Sequence, residues 1–358
     1  MAASFAQKAT QSRDDYREPV VVVQIKTRLP VAQPVRMETP AGTDLSWLEI
    51  DLPRLDHNAR VVRAALSAGA VEVEVGDGQT ARPAKLCPVL KKDAYGLGAV
   101  TIAHRLAKAG AADMLAVYSA KEAAHLVTHA VTTPILVLMP MRTLSRTDGL
   151  YRHAVAEKLH LSIHDAQQLD EINAVGQQLG IKFPCHLYID TGMSRSGLSP
   201  AQALSLINSA TAHRYVRIAG VFTHFADGDG DPAFTKRQLD TFNALIEEAG
   251  DKLPDDVIRH AANSAALLHD PDLRLDMART GVALLGYAPT PPTDAAASEA
   301  DTDDKNTLLP ILRWCSRIIH TQRYAAGTPV SYNSTHTLEP DSDLGIAPVG
   351  HGDDHPVA

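Results

Sequence analysis

The chain has 358 residues, 45% of them apolar and 21% charged, with a formal net charge of -8. That length suits two domains of a globular enzyme, and the acidic balance argues against a nucleic-acid binder. No apolar run is long enough to span a membrane, and the three scattered cysteines, Cys87, Cys185 and Cys315, make neither a disulfide framework nor metal-ligand spacing.

Residues 1–44 read as a flexible extension, with prolines at 19, 30, 34 and 40 and little periodicity. Within it, Val20–Ile25 is either a stray strand or a sticky piece of tail. The polar start lacks the basic and apolar regions of a signal peptide, so the default location is the cytoplasm. Trp47–Leu52 alternates as a strand does, Asn58–Leu66 carries helical spacing, and Ser67–Lys85 is an insertion of small and charged residues.

Leu86–Leu90 then predicts a buried strand that ends on Lys91, followed by Tyr95, two glycines and a helical pattern from Val100. A lysine in that place either snorkels to solvent or is desolvated. Desolvation would lower its pKa and leave the neutral amine that attacks carbonyls. Lys92, on a period of two, would point to the opposite face.

Strand and helix patterns alternate from there. Strands are predicted at Met114–Tyr118, Pro134–Leu138, His160–Ile163, His186–Asp190 and Val216–His224. Helices are predicted at Ala120–Leu126, Ala166–Leu179, from Pro200, and at Ala233–Glu248. Ala262–Ala266 and Val282–Leu285 close the series. This alternation over residues 45–289 predicts an α/β fold with a parallel sheet closed into a (β/α)8 TIM-type barrel. Residues 290–307 read as a linker. Residues 308–358, with strands at Leu308–Ile319 and Gly345–Val349, read as the start of a β-rich C-terminal domain that is incomplete. The cluster His351, Asp353, Asp354 and His355 is too compressed to converge on one ion, so no metal site is expected.

Six motifs carry chemistry: Val89-Leu-Lys-Lys-Asp-Ala-Tyr-Gly-Leu-Gly98, Tyr188-Ile-Asp-Thr-Gly-Met-Ser-Arg195, Phe222-Thr-His-Phe-Ala226, His260-Ala-Ala-Asn-Ser-Ala-Ala266, Asp276-Met-Ala-Arg-Thr-Gly281 and Pro329-Val-Ser-Tyr-Asn-Ser-Thr335. In order and spacing they resemble the alanine racemase family of barrel-type pyridoxal-phosphate enzymes. The resemblance implies that Lys91 holds pyridoxal 5'-phosphate as an imine and is a base on one face of the substrate Cα. It implies that Tyr332, from the second subunit of a homodimer, is the base on the other face. Two bases are needed because a single one tends to return the proton to the side it left.

The resemblance also places His224 against the cofactor ring and Arg279 at its nitrogen. It places Tyr95, Asn263, Ser264, Gly281 and Val282 around the cofactor, several of them on its phosphate, and Arg195 at the substrate carboxylate. The implied activity is interconversion of L- and D-alanine, with D-alanine feeding cell-wall peptidoglycan. Three positions depart from the family pattern. Tyr188 stands where a lysine that fixes the arginine is usual, Thr280 where a proline is usual, and His351 where a tyrosine lines the substrate entrance. Arg195 must therefore be held in another way. The alternatives are a broader-specificity racemase, a non-catalytic cofactor-binding protein, and a decarboxylase or dehydratase of the same barrel type. Tyr332 and the second domain argue against the binding protein, and Arg279 argues against the decarboxylase.

Overall fold

The computed structural model describes residues 21–24, 45–68, 71–75, 78–289 and 307–350. Most of the 1–44 extension, the 290–306 stretch and the His351–His355 cluster lie outside the described residues. The chain divides into two compact units, Ile50–Ile311 and the segments on either side of it.

The larger unit contains eight parallel strands: β1 (Lys85–Pro88), β2 (Leu115–Val117), β3 (Ile135–Val137), β4 (Leu159–Ile163), β5 (Phe183–Tyr188), β6 (Val216–Phe222), β7 (Ile258–His260) and β8 (Met277–Thr280). Strands β2 to β7 form one six-stranded sheet in chain order, and β8 pairs with β1. The ring is closed on one side by the Val89–Ala116 bridge and the Asp113 N–H to Leu86 O bond. On the other side Asp276 N–H donates to Arg259 O and Arg279 N–H to Ala262 O. The fold is a TIM-type barrel, as the alternation of patterns predicts.

The last two strands are not where periodicity put them. Ala262–Ala266 falls on a turn and the start of the Ser264–His269 helix, and Val282–Leu285 on a turn. The true strands, Ile258–His260 and Met277–Thr280, include Arg259, His260, Arg279 and Thr280. Polar residues on both faces of these short strands break the apolar pattern on which the prediction relied. The insertion at 67–85 also holds structure: Val71–Val75 and Gly78–Arg82 pair as an antiparallel hairpin.

Alternation within the strands sorts two cores. Leu115, Val117, Ile135, Val137, Leu161, Ile163, Cys185 and Leu187 join the large cluster with the surrounding helices. Cys87, Ala116, Leu136 and Met277 form a separate small apolar cluster. The remaining alternate positions of β4, β5 and β7 are His160, Ser162, His186, Tyr188 and His260, all buried. The barrel interior thus holds an apolar part and a polar part built around three imidazoles. A register shift between Ile218 and Gly220 in β6 marks where a Cβ on residue 220 would collide with the His186 ring.

In the other unit, Ser46–Ile50 pairs with Leu312–Ser316. Ser342–Ala347 lies between His320–Tyr324 and Val21–Gln24, antiparallel to both. Val21–Gln24 is therefore a paired strand, the first of the two readings of that segment. A short hairpin, Pro329–Val330 with His336–Thr337, carries Tyr332 on its turn.

Candidate active site

The carboxyl ends of the barrel strands surround a cleft of about 510 Å³. Nine of the residues singled out in the sequence line it: Lys91, Tyr95, Arg195, His224, Asn263, Ser264, Arg279, Gly281 and Val282. Tyr332 belongs to the other unit and is 69% exposed on its turn. Among the described residues Asp229 is the one acidic residue lining the cleft, against the cations Lys91, Arg195 and Arg279. An anionic ligand is the electrostatic match.

Lys91 is partly buried and lies just past β1 rather than at its last residue. The next four residues, Lys92 to Tyr95, have φ of 53°, 54°, 53° and 61°, a left-handed turn of non-glycine residues. Each costs roughly 1–2 kcal/mol relative to a right-handed turn. A period-two argument for Lys92 does not apply here, because Lys92 is not in a strand. Glu122 supports the turn: its carboxylate accepts from the N–H of Lys92 at 2.9 Å, of Tyr118 at 2.7 Å and of Ser119 at 3.0 Å. Asp93 Oδ1 accepts from Ala99 N–H at 2.7 Å. Glu122 was missed by motif reading, although the Ser119–Glu122 capping-box spacing marks it.

Arg279 is 5% exposed and spends its donors on neutral acceptors. Nη1 donates to His260 Nδ1 at 2.8 Å and His260 O at 3.1 Å. Nη2 donates to Thr223 O at 2.8 Å, Ala261 O at 3.1 Å and His224 Nδ1 at 3.3 Å. None of these bonds goes to a carboxylate. Burial draws the guanidinium down to about 10, so it remains charged at neutral pH. His224 is pushed down to about 3, first by burial and then by Arg279, Arg195 and Lys91. It is a neutral imidazole whose Nδ1 accepts from Arg279, which leaves the hydrogen on Nε2.

Ser264 Oγ shares a hydrogen bond with Thr280 Oγ1 at 2.9 Å and accepts from Gly281 N–H at 3.2 Å and Ala283 N–H at 3.3 Å. Thr280, the departure from proline, thereby anchors the serine. A Cβ at Gly281 would collide with the Tyr95 hydroxyl, so glycine lets backbone, serine and phenol close on one spot. Burial pushes the Tyr95 phenol up, keeping it a neutral donor. Asn263 instead caps the Ser264–His269 helix, accepting from Ala266 N–H at 3.0 Å.

The loop carrying Arg195 is tied back by Leu198 N–H to Tyr188 O and Asp190 N–H to Leu198 O. Ser196 Oγ meets His164 Nδ1 at 3.3 Å. Arg195 itself has no hydrogen-bond or ion-pair partner among the described residues. Tyr188 is 3% exposed, lines the cleft, and its hydroxyl has no partner among the described residues. His164 was not recognised as a cleft residue from sequence, and Tyr188 was marked only as a departure from the lysine that fixes the arginine. Their signal is the alternation His160-Leu-Ser-Ile-His164 and His186-Leu-Tyr188, polar side chains set among aliphatic ones.

Residues 50–289 match the N-terminal domain of alanine racemases, and residues 311–358 match the C-terminal domain. The chain belongs to the alanine racemase family. The alanine racemase of Desulfovibrio desulfuricans is 33% identical over 313 residues, covering 86% of this chain and 75% of the relative. That of Symbiobacterium thermophilum is 32% identical, covering 88% and 76%. Among solved structures, the alanine racemase of Clostridium difficile 630 superposes with a TM-score of 0.67 at 29% identity, covering 88% of this chain and 76% of that one. The enzyme of Streptomyces lavendulae gives 0.68 at 28%, with the same coverage. The Bartonella henselae alanine racemase, solved with covalently bound pyridoxal phosphate, shares the fold at 22% identity and a TM-score of 0.64, covering 87% and 77%.

In this alanine racemase family member the cleft fits such a group. An amine stands on one side, Ser264, Gly281 and Tyr95 make a tight polar cradle, and a charged guanidinium faces the space between. Among the described residues no group of three His, Cys, Asp or Glu side chains is arranged to hold a metal ion, and no helix is long and apolar enough to cross a membrane.

Proposed function

We propose that this chain interconverts L- and D-alanine with pyridoxal phosphate held on Lys91. The observation that carries this reading is the convergence of Lys91, Arg195, Arg279 and the Ser264–Gly281–Tyr95 cradle on one cleft. When bound, the cofactor supplies a conjugated ring that spreads the charge left on Cα by loss of its proton. Lys91 Nζ, freed when the substrate amine replaces it on the cofactor, would take that proton on one face. Tyr332 Oη of a second copy delivers one on the other, making a homodimer with shared sites the working form. Arg195 pairs with the substrate carboxylate. Ser264 Oγ, the Gly281 and Val282 backbone and the Tyr95 hydroxyl hold the phosphate, with Asn263 shaping the turn. Arg279 cannot accept a proton and stays charged, and would keep a ring nitrogen placed beside it unprotonated. That restrains charge spreading and suppresses side reactions. In the cell the product would be D-alanine for peptidoglycan, made in the cytoplasm.

The purified protein is expected to absorb in the visible range and to convert L- to D-alanine, and Lys91→Ala to lose both properties. Bound cofactor with no exchange on alanine or another amino acid would overturn the racemase reading in favour of a cofactor-binding protein.

A further inference from the structure

Three buried histidines inside the barrel have no part in the scheme above, yet they form one chain. His160 Nδ1 meets His186 Nε2 at 2.9 Å. His186 Nδ1 meets His260 Nε2 at 2.8 Å. His260 Nδ1 meets Arg279 Nη1 at 2.8 Å. His186 and His260 are fully buried, and His160 is 8% exposed. No carboxylate hydrogen-bonds to any of the four among the described residues.

Arginine has donors only, and this decides every proton in the chain. Arg279 Nη1 donates, so His260 Nδ1 must accept and the His260 hydrogen sits on Nε2. That N–H donates to His186 Nδ1, which puts the His186 hydrogen on Nε2. The His186 N–H in turn donates to His160 Nδ1. All three rings are neutral Nε2–H tautomers pointing one way. A second proton on His186 or His260 would set two N–H groups face to face.

We infer that His186 and His160 are positioning residues for Arg279, holding the guanidinium in register through the directed His160–His186–His260 chain. The restraint is steric as well as electrostatic. His260 can accept from Arg279 only while its own Nε2–H has somewhere to go. Without His186 that buried N–H is unpaired, and the ring is driven to turn or to change tautomer, which opposes an N–H to Nη1. The position is built for a ring: Gly220 lies against His186 where a Cβ would collide, at the register shift of β6. Phe222 lies parallel to His260, with centroids 4.8 Å apart and planes 9° from one another, and beneath Arg279 at 5.1 Å. Turning of His260 would thus disturb the stack that carries the guanidinium. The effect on turnover rests on the racemase reading; the chain itself does not.

The test separates the two. In cofactor-free protein labelled with ¹⁵N-histidine and ¹⁵N-arginine, His160, His186 and His260 are expected as neutral Nε2–H tautomers at pH 7. Slow exchange of the Arg279 side-chain N–H groups is expected as well. His186→Phe keeps the volume but neither accepts nor donates, and is expected to lose that protection. His186→Gln carries an acceptor and a donor and is expected to retain it. In holoenzyme active on alanine, His186→Phe should lower kcat by about tenfold or more with little change in KM, and His186→Gln should recover most of the loss. Should His186→Phe fail to fold, His160→Leu at the far end gives the same readout in weaker form. An Nδ1–H tautomer on His186, or equal Arg279 protection in the Phe and Gln variants, would overturn the proposal. Absence of alanine exchange in the wild type would sink the racemase reading alone, and the NMR result would still decide the chain.

Discussion

The Tyr188 ring lies flat on Phe222, with centroids 4.7 Å apart and planes 6° from parallel. His164 meets the same tyrosine edge-on at 5.3 Å. Tyr188 is therefore held by its face and edge, while its hydroxyl has no partner among the described residues. A buried unpaired hydroxyl costs about 1–3 kcal/mol. Tyr188→Phe should then stabilise the cofactor-free protein by about 1 kcal/mol, read as a raised denaturant midpoint at unchanged slope. A loss of stability would show that the hydroxyl is already satisfied in solution.

Glu122 binds three backbone N–H groups, one of them in the left-handed turn after Lys91. Glu122→Ala leaves the strained turn unsupported and removes a helix capping box. A stability loss of roughly 2 kcal/mol is expected, from a lost cap and lost charge-assisted bonds. Because the turn positions Lys91, cofactor affinity should fall with it, measured by titrating the visible absorbance. Unchanged affinity in a destabilised variant would restrict Glu122 to a structural role.

Acid should weaken the fold through its histidines. Burial lowers His160 to about 4 and His224 to about 3, and holds His186 and His260 well below their ordinary range. In the unfolded chain each titrates near ~6.5. Between about pH 6.5 and 4 the unfolded state thus binds more protons, and stability must fall as pH falls. Each neutral ring contributes a slope of about 1.4 kcal/mol per pH unit. Denaturant midpoints measured from pH 7 to pH 5 should drop steeply, and His160→Gln should flatten the slope. A flat profile in the wild type would mean that these rings are charged in the folded protein.

The proposed sharing of active sites between two copies makes a quantitative prediction. Lys91→Ala and Tyr332→Phe chains should each be nearly inactive, since losing an acid–base group costs ~10²–10⁴-fold. Mixed in equal amounts and allowed to exchange, about half the dimers are hybrids by two-fold symmetry, and each hybrid has one intact site. Activity should return to about a quarter of wild type. No recovery, with exchange verified by mass, would place both residues of a site on one chain.

Much of the site was legible because its residues announce themselves in short motifs. Lys91 before Tyr95, Asn263-Ser264, and Arg279 before Gly281 are local patterns, and the strand–helix alternation around them needs only the periods of the two elements. The C-terminal half of the barrel was harder to read. Its strands β7 and β8 are three and four residues long and carry Arg259, His260, Arg279 and Thr280, so no apolar period survives.

By itself the sequence determined the chemical inventory and its order along the chain: an amine after a strand, hydroxyls and a glycine for an anion, and two arginines in short motifs. Only the tertiary structure decided what meets. Closing the barrel carries Arg279 to His224, 55 residues away in the chain, and Gly281 to Tyr95. It makes the turn after Lys91 left-handed, and it turns three histidines from separate strands into one directed chain. The physical reason is that period and propensity assign a side chain to a face. Which faces converge, and which nitrogen must accept, follows from the closure of the sheet around a buried arginine that can only donate.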